Sequence, residues 1–240
     1  GVRTQFYHDM DAVNASKAYF SWGEYDRSSA SGTDLENFIL DARDHGIEIH
    51  LTSSLKGEDA PASFYNDVMF DIIGWMNQHI EPDGIHLDLE PHGGDLATFL
   101  DGYEVVLTQI DTNSALSGVP LSIAWRVGFT VNDLNRSKNV RDHARIDSVV
   151  SMSYQDSVSE IRKRTERTMM TSDGSSGRTY SDKEYVVAVE IQPGVDPDIT
   201  LYDEGEVKTA DVLDTLDDNP PAGNYTGTAI HDYKALQHWA

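Results

Sequence analysis

The chain has 240 residues and no cysteine, which excludes disulfides, thiolate metal sites and a cysteine nucleophile. Its 18 basic and 41 acidic residues give a formal charge of −23, so nucleic acid and anionic membrane surfaces are poor partners. No apolar run approaches the roughly 20 residues that a membrane-spanning helix needs.

Taken in order, short apolar strands alternate with amphipathic helices. Thr4–His8 and Ala18–Trp22 read as the first two strands. Thr33-Asp34-Leu35-Glu36 has the form of a capping box and predicts a helix to about His45, stopped by Gly46. Ile47–Ser53 is the third strand. Phe64, Val68, Ile72, Trp75, Met76 and His79 then form a stripe at helical spacing.

Gly84–Glu90 is the fourth strand. Strict alternation sends Ile85, Leu87 and Leu89 to one face and His86, Asp88 and Glu90 to the other. An ordinary core strand has no reason to carry three titratable groups in consecutive inward positions, so this stretch predicts a pocket wall.

Leu96, Phe99, Leu100, Tyr103, Val106, Leu107 and Ile110 make a second helical stripe. Leu121–Arg126, Ser148–Tyr154, Tyr185–Ile191 and Gly227–Tyr233 complete eight strands. Further helices are expected near Val131–Ala144, Val158–Met170, Val207–Leu216 and Lys234–Ala240. The Gly- and Ser-rich run Thr171–Ser181 reads as a flexible loop.

Eight strands alternating with helices over this length predict an α/β fold, a single (β/α)8 TIM barrel spanning residues 1–240. A doubly wound sheet would normally bring a glycine-rich phosphate turn after its first strand, and the sequence has none there. In a barrel the functional side chains stand at the C-terminal strand ends. That rule selects His50, Asp88, Glu90, Arg126, Tyr154, Asp156, Glu190 and His231, with His86 deeper and Trp22 among the aromatic side chains near the mouth. Trp125, Tyr25 and Tyr233 could stack on sugars or simply pack.

Asp83-Gly84-Ile85-His86-Leu87-Asp88-Leu89-Glu90 resembles the DGxDxDxE signature on the fourth strand of family 18 glycoside hydrolases, the chitinases and endo-β-N-acetylglucosaminidases. Met152-Ser153-Tyr154 is similar to their sixth-strand M-x-Y. The resemblance implies that Glu90 is the general acid, that Asp88 orients an N-acetyl group of the substrate acting as nucleophile, and that Tyr154 supports it. His86 stands where that family has Asp, and Gln155 where chitinases usually have Asp. Glu90-Pro91 and Glu190 also resemble the acid/base and nucleophile of the two-glutamate retaining glycosidases.

The expected function is hydrolysis of a polysaccharide or oligosaccharide with retention and without a cofactor. Glu90, Asp88, Tyr154 and Glu190 would carry the chemistry, and His86, His50, Arg126, Asp156, His231 and Trp22 would line the substrate cleft. The same residues support two alternatives. The departures at His86 and Gln155 suit a sugar-binding barrel without catalysis. His50, His86 and His231 with Asp88 or Glu90 would suit a metal-dependent hydrolase.

The expected partner is a carbohydrate, and an extracytoplasmic location is expected. The acidic residues comprise 28 Asp and 13 Glu, and only 7 of the basic ones are Lys. Such a surface suits high salt, where screening removes the self-repulsion.

Overall fold

A computed structural model describes residues 2–21, 32–57, 71–91, 95–174 and 177–231. The chain divides into two compact units, Gly1–Ile123 and Ala124–Ala240.

The first unit runs α1 (Val2–Ala12), β1 (Lys17–Ser21), α2 (Gly32–Asp44), β2 (Glu48–Gly57), α3 (71–76), β3 (Gly84–Pro91), α4 (Leu96–Thr112) and the first half of β4 (Leu121–Arg126), within which the division falls. Strands β1, β2, β3 and β4 pair in that order, all parallel. Their register puts Tyr19 beside His50, His50 beside Gly84, Thr52 beside His86 and His86 beside Ser122. One face of this sheet is therefore polar. The other carries Ile49, Leu51, Ile85, Leu87, Leu89, Leu121 and Ile123, all buried.

Helix α4 succeeds β3 because its apolar stripe has somewhere to go: Phe99, Leu100, Tyr103, Val106, Leu107 and Ile110 are buried along one face. Asp95 caps it by accepting from the Ala97 and Thr98 amides. The Tyr103 hydroxyl donates to the Leu87 carbonyl at 3.3 Å, fastening the helix to β3.

The second unit contains α5 (Val127–Asn132), α6 (Leu134–Arg141), β5 (Ser148–Met152), α7 (Val158–Met169), β6 (Met170–Gly174), β7 (Gly177–Tyr180), β8 (Glu184–Glu190), α8 (Gly205–Asp218) and β9 (Asn224–His231). Strands β5, β8 and β9 are parallel neighbours. Tyr185, Val187 and Val189 are fully buried on one face of β8, while Ala188 and Glu190 alternate to the other. Ser153 hydrogen-bonds Ser151 at 2.9 Å and Thr165 of α7 at 2.8 Å, tying the helix to its strand. The alternation of parallel strands with helices is that of a (β/α)8 barrel.

Two expectations need correction. Thr4–His8 is not a strand but part of α1. Its buried apolar residues Tyr7 and Met10 are three apart, and the helix meets α2: Phe6 packs on Phe38 at 5.5 Å, Tyr7 stacks on His45 at 4.0 Å and bonds Asp41 at 2.8 Å. Five residues are too few to separate the two periods. The strand carrying Asp88 is consequently the third among the described residues.

Thr171–Ser181 is not a loop either. It contains most of the antiparallel hairpin β6–β7. Backbone pairing and a buried arginine hold it, neither of which composition reveals. Arg141 is fully buried, donates to the carbonyls of Thr168 and Met170 at 2.7 and 3.1 Å, and grips both carboxylate oxygens of Asp142 at 2.8 and 3.0 Å. Ser181 closes the set by donating to Asp142 at 2.6 Å. Arg141→Ala is expected to cost about 3–5 kcal/mol, read as a lowered urea midpoint, because it removes the charge partner of Asp142 and one donor from each of two carbonyls.

Candidate active site

In the first unit the polar face of the sheet is built in layers. Tyr19, His50, His86 and Ser122 form the inner one. The Tyr19 ring meets His86 at 4.5 Å and His50 edge-on at 5.7 Å, and His86 Nδ1 lies 2.8 Å from the Ser122 hydroxyl. Both imidazoles are buried, at 2% and 5% exposure, and burial disfavours their charged forms. It pushes His50 down to about 4, aided by Lys17 and opposed by Glu48. It pushes His86 down to about 3, with His50 and Lys17 adding to the effect. Both rings are neutral at pH 7. Burial likewise raises the Tyr19 phenol to about 12.

The glycine of the Asp83-Gly84 pair has a steric reason. A Cβ at Gly84 would overlap the His50 ring, which occupies the space beside β3. Gly84→Ala is expected to displace His50 and cost about 1–3 kcal/mol, measured by thermal or urea unfolding. Asp83 has a structural task as well: it accepts from Arg43 at 2.7 Å and from the Ile49 amide at 2.8 Å.

Asp88 lies above His86 on the same strand face, half-buried and level with Ser54 of β2. Glu90 is the last but one residue of β3, paired in register with Lys56. Arg126 ends β4, exposed, at the start of α5. Trp22, with Tyr25 and Tyr233, lies outside the described residues. Trp125 packs instead of facing a ligand: it is fully buried against Phe129 at 5.0 Å and donates to Thr130 at 3.2 Å.

In the second unit three expected residues come together. Glu190 Oε2 lies 2.8 Å from His231 Nδ1 at the ends of β8 and β9, and the Tyr154 and His231 rings run nearly parallel, 6.0 Å apart. Glu190 Oε1 accepts the Gln192 amide at 2.7 Å. Asp156 sits half-buried in the bend after β5, and Gln155 folds back onto the Tyr154 carbonyl at 2.6 Å.

Sequence reading missed Tyr19 and Ser122. Their signal was present in the alternation of Lys17–Ser21 and Leu121–Arg126, once the register with His50 and His86 is known. Among the described residues no group of three or more His, Asp or Glu is placed to hold a metal ion. No described helix is long and apolar enough to cross a membrane. A groove of about 740 Å³ bordered by Arg3, Tyr7, Asp41 and His45 opens beside the N-terminal ends of β1 and β2, away from Asp88 and Glu90.

Solved structures share this architecture. Concanavalin B superposes with a TM-score of 0.59 at 15% identity, over 97% of this chain and 89% of that one. The xylanase and α-amylase inhibitor protein XAIP-II from Scadoxus multiflorus gives 0.57 at 14%, with the same coverage. A protein from Streptomyces coelicolor described as a chitinase A gives 0.52 at 9%, over 86% and 70%. The chain has their barrel fold. The resemblance carried by Asp83–Glu90 and Met152–Tyr154 is thus matched at the level of architecture. No protein-family model matches the sequence, and no curated protein matches it by sequence alone. In this barrel, Asp88 and Glu90 occupy the C-terminal end of a parallel strand, the end where barrels place their chemistry.

Proposed function

We propose that the chain is a single-domain retaining glycoside hydrolase acting on oligosaccharides or polysaccharides that contain N-acetylhexosamine. The observation that carries this is the Asp88-x-Glu90 pair at the C-terminal end of barrel strand β3. Glu90 in its acid form donates its proton to the glycosidic oxygen as the bond to the anomeric carbon breaks. The acetamide oxygen of the same sugar attacks that carbon from the other face, and Asp88 holds the acetamide in place. Water then opens the cyclic intermediate and gives its proton to the Glu90 carboxylate, which restores the starting state. The fold is shared with a protein described as a chitinase, which favours an amino-sugar polymer as substrate.

A second reading, a sugar-binding barrel without turnover, is favoured by His86 at the position where the chitinase signature has Asp. The acidic, Lys-poor composition further suits activity at high salt. The test is to incubate the protein at low and high salt with N-acetylglucosamine oligomers and with their de-N-acetylated counterparts. Cleavage of the acetylated series alone is expected. Equal cleavage of both removes the acetamide mechanism, and affinity with no cleavage at any salt establishes the binding barrel.

A further inference from the structure

Three buried polar atoms on strand β2 have no hydrogen-bond partner among the described residues: both ring nitrogens of His50 and the hydroxyl of Thr52. Their residues are 2% and 7% exposed. The neighbouring imidazole is better provided for, since His86 Nδ1 lies 2.8 Å from the Ser122 hydroxyl. The Glu48 carboxylate comes within 3.5 Å of His50 Nε2, but it stands 57% exposed at the first residue of β2, and that approach is too long for a hydrogen bond.

A neutral imidazole presents one N–H and one acceptor nitrogen in either tautomer, and the threonine hydroxyl adds a donor and an acceptor. Buried groups of this kind are paired in folded proteins, with protein atoms or with ordered water, because unpaired they forfeit the hydration they had in the unfolded chain. His50 and Thr52 are two residues apart on one strand, so their side chains leave the same face about 6.6 Å apart along it. A single water, bonded at about 2.8 Å on either side, bridges a separation of that order. The facing strand favours the same spot. Gly84 is the register partner of His50 and His86 that of Thr52. The edge of the His50 ring that a Gly84 Cβ would meet is the one bearing both nitrogens, so the polar edge is turned to a position of β3 that has no side chain.

We propose that His50 and Thr52 bind an ordered internal water, hydrogen-bonded to one ring nitrogen and to the Thr52 hydroxyl. Other small occupants suit the site less well. An anion finds no positive charge on the two imidazoles, which are neutral at pH 7. A metal ion finds no set of three His, Asp or Glu ligands among the described residues. Water is donor and acceptor at once, and two to four polar partners are what an internal water takes. The site lies in the polar interior of the first unit, needs no substrate, and stands whether or not the protein is a glycosidase. It makes the Thr52 hydroxyl a stabilising group although no protein atom pairs with it.

Two measurements test it. A high-resolution crystal structure of the unaltered protein is expected to show a water within about 3.2 Å of a His50 ring nitrogen and of Thr52 Oγ1. A dry site, or side chains turned to bond protein atoms instead, overturns the proposal. Thr52→Val removes the hydroxyl and is expected to lower the urea midpoint with the slope unchanged, because losing the water's anchor leaves a buried imidazole nitrogen unpaired. Were the hydroxyl dry in the folded protein, the same substitution would relieve a buried unpaired group, so a midpoint that holds or rises overturns the proposal. In crystals of Thr52→Val the water is expected to be gone with the His50 ring in place, and a water that persists there overturns it as well. If Thr52→Val does not fold, the structure of the unaltered protein still decides.

Discussion

Glu90→Gln is expected to lower kcat for N-acetylglucosamine oligomers by about 10²–10⁴-fold while leaving the urea midpoint unchanged. Gln matches the shape of Glu and cannot donate a carboxylic proton, so the loss isolates proton transfer. The leaving group provides the control. An aryl glycoside whose phenolate departs without help needs no proton in the first step, so its cleavage should suffer much less than that of an alkyl or sugar leaving group. Asp88→Asn should behave differently, impairing N-acetylated substrates regardless of the leaving group because it loosens the attacking acetamide. Unchanged oligomer hydrolysis in Glu90→Gln would remove Glu90 from the mechanism. An equal loss on both leaving groups would make it something other than an acid.

The sequence carried the barrel because period-2 and period-3.6 patterns differ sharply wherever a segment is long enough. Leu96 to Ile110 repeats its apolar positions for four turns, and α4 is the result. Gly84–Glu90 alternates without a break, and β3 is the result. Thr4–His8 was misread because its pattern is short and its decisive partners, Phe38, Asp41 and His45, are more than thirty residues away, in and just beyond α2. The β6–β7 hairpin was invisible for a related reason: Arg141, its buried anchor, belongs to another helix.

The site was legible in part. Alternation alone identified His86 and Asp88 as one face, and strand-end arithmetic brought Glu190, His231 and Tyr154 together as candidates. It could not say that Glu190 and His231 are bonded, because their pairing is a property of register across β8 and β9. Nor could it show that His50 fills the space beside Gly84, since the contact joins two strands separated by 34 positions. Residue types are written in the chain; partners come from topology.

The histidine layer leads to the other large effect. Acidification from pH 7 to about pH 4 is expected to destabilise the first unit by on the order of several kcal/mol, through His50 and His86. The folded values, about 4 and about 3, both lie below the ordinary histidine value of 6.5. Between those limits the unfolded chain binds protons that the folded chain refuses, so stability rises with pH. The contribution is complete above about pH 6.5 and is lost as pH falls through the folded values.

The surface works in the opposite direction. With an excess of 23 negative charges, partial protonation of carboxylates relieves repulsion and should stabilise the fold as pH drops. The two effects separate in a difference experiment. His86→Asn keeps a polar partner for Ser122 and cannot titrate, so its urea-derived stability relative to the unaltered protein should improve steadily as pH is lowered from 7 to 4. A constant difference over that range would mean that His86 is protonated in the folded state, and the buried layer would then not be the neutral one its packing against Tyr19 and Ser122 requires.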